Sequence, residues 1–126
     1  MKTYTTEQKI AYALKEMGIH QDLLGYKYLR VAIEAVVKKP SMIDSITKGL
    51  YPYVAERCYT TPMRVERAIR HAIETSWKEM TDDMKKNVFG NAVAKNQNRP
   101  ANGHYIAAVA EIISEYDEHP ILPKEE

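Results

Sequence analysis

The sequence predicts an all-α fold, about six helices in a compact bundle that contains a helix-turn-helix. Three observations lead there. Apolar residues recur three and four apart from end to end, Thr, Asp, Gly and Pro stand where helices start and stop, and no β alternation of useful length occurs. A chain of 126 residues predicts one domain with a single modest core, spanning about residues 5–118 and leaving residues 119–126 as a fraying tail. Hydrophobic content of 44% and charged content of 28% are ordinary for a folded protein and set disorder aside.

The elements follow in order. Thr5 or Thr6 caps a first helix, with Gln8 completing a capping box, and Ile10, Ala13, Leu14 and Met17 form its apolar stripe before Gly18 ends it. Asp22 starts a second helix that runs to Lys39 and stops at Pro40, burying Leu29, Ile33, Val36 and Val37. A short helical piece over residues 41–46 leads to a third helix ending near Cys58. Pro52 makes a start at Leu50 or Tyr51 as good a reading as a kink. A fourth, long helix covers residues 62–80. Thr61 is its N-cap, and Pro62 takes the first helical position, where a missing N–H costs nothing. Asp82 or Asp83 caps a brief fifth helix closed by Gly90. Residues 91–103 read mainly as loop, and Asn102 caps a last helix carrying Ile106, Val109, Ala110 and Ile113.

The net charge of +1 makes no case for a nucleic-acid partner, so any such case rests on where the charge lies. Between Arg57 and Lys78 there are five Lys or Arg and two Glu, whereas acids gather toward the C-terminal end at Glu111, Glu115, Asp117, Glu118, Glu125 and Glu126. On a wheel of 100° per residue, Arg64, Arg67, Arg70, His71, Glu74 and Lys78 share one arc of about 120°, and Val65, Ile69, Ala72, Ile73 and Ser76 occupy the other side. A helix anchored by one face and presenting arginines on the other suits a major-groove reader. Arginine can donate two hydrogen bonds to guanine O6 and N7 or clamp a phosphate, and a glutamate such as Glu66 can accept from cytosine N4. The bland alternative is a solvated surface helix, and composition alone does not separate the two.

Other chemistries find little support. His20, His71, His104 and His119 are far apart and lack metal-ligand spacing with the lone Cys58, so no metal site is expected. Cys58 reads as a small core residue, its solitude suiting a reducing cytoplasm. Tyr26, Tyr28, Tyr51 and Tyr53 are spaced like packing residues, and His71 with Glu74 makes no catalytic site. No glycine-rich phosphate loop, signal peptide or membrane-spanning run appears. The expectation is a cytoplasmic protein that is not an enzyme, with no cofactor and no membrane attachment.

Four stretches carry a family resemblance: residues 45–48 with Leu50, Tyr51 and Pro52; Thr60 and Thr61; the run from Arg64 through Val65, Glu66, Arg67, Ala68, Ile69, Arg70, His71, Ala72 and Ile73 to Glu74; and Trp77. Together they closely resemble the C-terminal effector domain of the sporulation-initiation response regulator of endospore-forming Firmicutes (the stage 0 sporulation protein A family). Residues 25–30 with Ala32 and Ile33, Phe89 with Gly90, and residues 106–110 extend the likeness over about residues 5–118. The resemblance implies a six-helix bundle that binds double-stranded DNA at short boxes with a TGTCGAA-like core, often in tandem copies, to regulate transcription.

Carried over by motif, Glu66, Arg67 and Arg70 would face bases, with Arg64 and His71 flanking them. Lys48, Arg57, Lys78, Lys95 and Arg99 are the further candidates for phosphate contacts. The resemblance also implies a surface for the sigma subunit of RNA polymerase around the fifth helix and the loop after Phe89. The family's usual receiver domain finds no room in 126 residues, so an excised domain or a free-standing effector is expected. Gly49 is expected to loosen the start of the bracing helix, and Pro62 to firm the start of the reading one. The rival reading is a free-standing interaction module that pairs with a full-length regulator and modulates it.

Overall fold

The computed structural model describes residues 3–91 and 98–124. Among them are six α-helices and no strand: α1 (Thr6–Glu16), α2 (Leu24–Lys38), α3 (Tyr51–Arg57), α4 (Pro62–Glu79), α5 (Asp82–Phe89) and α6 (Asn102–Glu115). A 3₁₀ turn (Pro40–Ser45) and a π-helical turn (Ile46–Leu50) join α2 to α3. α2 is the central helix and touches α1, α3, α4 and α6.

Local chemistry explains most of the boundaries. Thr5 Oγ1 accepts from the Gln8 N–H while the Thr5 N–H donates to Gln8 Oε1, which is the expected capping box. α1 ends on Gly18 at φ 81°, and the Ile19 N–H turns back to the Leu14 carbonyl in a Schellman closure. Pro52 lies in the first turn of α3, where it needs no hydrogen-bond partner, so the helix begins at Tyr51 without a kink. Thr61 Oγ1 accepts from the Arg64 N–H at 3.3 Å and opens α4 with Pro62 at its first position.

Four expectations need correction. α2 starts at Leu24, not Asp22, because residues 20–23 form a turn that brings Leu23 against the core while Asp22 stays in solvent. Thr81, not Asp82 or Asp83, caps α5 through the Met84 N–H, and the two acids fall in the first turn, where they suit the helix dipole. Ala101, not Asn102, is the N-cap of α6, since the Asn102 amide is committed across the bundle.

The fourth concerns the tail, which does not fray over residues 119–124. Ile121 is fully buried and Leu122 nearly so. The His119 ring fastens them: Nδ1 accepts from the Ile121 N–H at 3.1 Å, and Nε2, which therefore carries the proton, donates to the Asn87 carbonyl at 2.9 Å. Two prolines and the acids made this segment look like a tail, but two adjacent apolar side chains suffice to seat it.

One close approach sets the position of α4. A Cβ on Gly25 would overlap the Ala68 carbonyl oxygen and come within 2.6 Å of the Ala72 Cβ, so only glycine lets α2 lie this near α4. Val65, Ile69, Ala72, Ile73, Ser76 and Trp77 are the buried residues of α4.

Candidate nucleic-acid interface

α3 and α4 meet through the turn 58–61, and its closure is built from an unusual residue. The Thr60 N–H returns to the Ala55 carbonyl at 3.0 Å, a Schellman pattern that puts the intervening residue in the left-handed region. Glycine is the usual occupant. Here it is Tyr59, at φ 56° and 96% exposed. Its backbone is strained by roughly 1–2 kcal/mol, and its ring stands in solvent.

The outer face of α4 carries the candidate readers. Arg64, Arg67, Arg70 and His71 are exposed, and Arg64 and Arg67 make no ion pair with any described residue. Glu66 sits at the border of this face, half-buried, with its carboxylate 3.5 Å from Arg70 Nη1. Before any ligand arrives, then, these two candidates are paired with each other.

Glu74 lies in the middle of the basic arc, where a carboxylate would repel a phosphate. Arg99 bonds it at 2.8 Å and restores a neutral pair there. Arg57 lies over the Tyr53 ring, 4.2 Å from its centroid, and so is held along α3. Lys48 is exposed on the π-helical turn and Lys78 near the end of α4. From Arg64 to Lys78 the helix advances about 21 Å, so the two ends of this row of charges reach different parts of any duplex. Lys95 falls outside the described residues.

The bracing behind the readers was not legible in the sequence. Asn102 Nδ2 reaches from the start of α6 to the Tyr51 hydroxyl at 3.1 Å and to the Glu66 backbone carbonyl at 3.2 Å. A single amide thus ties α6, α3 and α4 together beneath Glu66. The Tyr51 phenol is pushed above its ordinary range, first by burial and then by the nearby Glu66 carboxylate, so it stays a neutral hydroxyl in this network. The Ile46 side chain fills the space a Cβ on Gly103 would take, which sets the π-helical turn directly against the start of α6. The far end of α4 is fixed by aromatic contacts. Trp77 meets Phe89 edge-on with centroids 5.5 Å apart, and the Lys85 ammonium lies 4.6 Å from the Trp77 ring centroid. Among the described residues no group of three His, Cys, Asp or Glu side chains converges on a metal position, and no helix is long and apolar enough to cross a membrane.

Two helices joined by a short turn, the second burying one face and presenting arginines from the other, make up a helix-turn-helix unit on an all-α scaffold. Residues 10–113 match the family described as Sporulation initiation factor Spo0A C terminal. The chain belongs to this family, a family of DNA-binding sporulation effector domains that regulate transcription rather than catalyse a reaction.

Proposed function

We propose that the chain is a sequence-specific reader of double-stranded DNA, with α4 entering the major groove of a TGTCGAA-like box. The observation that supports this best is the division of α4, whose other side is buried in the bundle while Arg64 and Arg67 stand outside with no ion pair to any described residue. In this reading Glu66, Arg67 and Arg70 contact bases, Arg64 and His71 flank them, and Lys48, Arg57, Lys78, Lys95 and Arg99 serve the phosphates. Two copies sit side by side on tandem boxes. α5 and the residues after Phe89 offer the surface for the sigma subunit of RNA polymerase. The site of action is the cytoplasm, where the chromosome lies.

Fluorescence anisotropy with a tandem-box duplex and a scrambled duplex, at one moderate salt concentration, tests the proposal. The protein alone is expected to prefer the box. Arg67→Ala or Arg70→Ala is expected to cost about 1–3 kcal/mol on the box and to flatten the preference. Equal losses on both duplexes would move that residue to the backbone. Binding that required a full-length regulator would sink the proposal in favour of an interaction module.

A further inference from the structure

Met63 is the second residue of α4 and is 63% exposed, a large apolar side chain that contributes nothing to the core. Its place on the helix is informative. At 100° per residue it falls within the arginine arc, between the directions of Arg70 and Glu74 and about 40° from Arg67. It precedes Arg67 by four residues and Arg70 by seven, so the three form one stripe running back to the N-terminal end of the helix. Arg64, next in the chain, and Arg67, one turn on, are both exposed and free of ion pairs with described residues. A solvent-facing methionine among cationic side chains suits a ligand that is polyanionic overall and offers a small apolar group locally.

DNA has one such group in the major groove, the C5 methyl of thymine. The first turn of a reading helix is the part that reaches base edges. Methionine is unbranched, polarisable and able to settle against an irregular apolar surface. We infer that Met63 reads a thymine methyl in the recognised box, as a specificity-determining contact beside the arginines. This rests on the DNA-reading proposal above and adds a base class that arginine and glutamate do not select.

A double-mutant cycle between protein and DNA isolates the contact. Each thymine of the box is replaced singly by deoxyuridine, which deletes the methyl and leaves the base-pairing edge intact. Affinities are then measured by anisotropy for the unaltered protein, Met63→Ala and Met63→Gln. At one thymine the unaltered protein is expected to lose about fourfold, the worth of one methyl group returned to water. Neither variant is expected to respond to that replacement, and both are expected to keep the salt dependence and melting temperature of the unaltered protein. Equal responses of the unaltered protein and Met63→Ala at every thymine would overturn the inference while leaving box preference intact. Failure of the unaltered protein to prefer the box over a scrambled duplex would overturn the DNA reading, and this inference with it.

Discussion

Along α4, Val65, Ile69, Ala72 and Ile73 are at most 1% exposed, whereas Met63, Arg64, Arg67 and His71 stand in solvent a few ångströms away on the same backbone. Every residue of the first group has an internal reason to be what it is: α2 lies so near that Gly25 can carry no side chain. No member of the second group has an ion-pair partner among the described residues; the Glu66–Arg70 and Glu74–Arg99 pairs lie beside them on the same helix. One face therefore answers to stability, and the other is left free for the DNA reading proposed above. Substitutions should separate the two cleanly.

The largest effect is expected from the buried face. Ile69→Ala removes a fully buried side chain and should lower stability by about 2–5 kcal/mol in urea denaturation. Its loss of DNA binding should follow the unfolded fraction only, so intact preference among the molecules still folded is the check. Asn102→Ala tests the border between the faces. It deletes both hydrogen bonds to Tyr51 and the Glu66 carbonyl and should cost about 1–2 kcal/mol of stability. It should also lower the box-to-scramble ratio, because Glu66 and Arg70 lose their support. An unchanged ratio would confine Asn102 to a structural role.

Tyr59→Gly should act in the opposite direction. Relieving the left-handed strain is expected to raise stability by about 1 kcal/mol, read as a higher melting temperature. The smallest effect belongs to the end of the exposed row. Lys78→Ala should leave the melting temperature and the sequence preference alone while reducing the slope of log affinity against log salt by about one unit. A changed preference would place Lys78 among the base contacts.

Helix positions came through in the sequence because they depend on near neighbours. The Thr5–Gln8 box, the Thr61–Pro62 start, the stop at Gly18 and the 3.6-residue stripe of α4 are all decided within a few residues. So was the arginine face, since it is the complement of that stripe. Met63 lies on the same arc, but a side chain neither charged nor spaced for the core carries no signal in the sequence, and only its exposure in the fold singles it out.

Contacts between segments distant in the chain were another matter. Asn102 after Pro100 has the local look of a cap, and only the arrival of Tyr51 and Glu66 from residues 51 and 36 positions away turns its amide across the bundle. His119 looked like a loose tail residue until Asn87 and the Ile121 N–H gave its two ring nitrogens opposite tasks. The close approach at Gly25 depends in the same way on α4 lying against it. By itself the sequence determined which residues form helices and which side of α4 is free, because both follow from local hydrogen bonding and periodic burial. The tertiary structure alone decided how the free side is held and where Glu66 and Arg70 rest before DNA arrives, because those positions depend on groups the chain brings together only on folding.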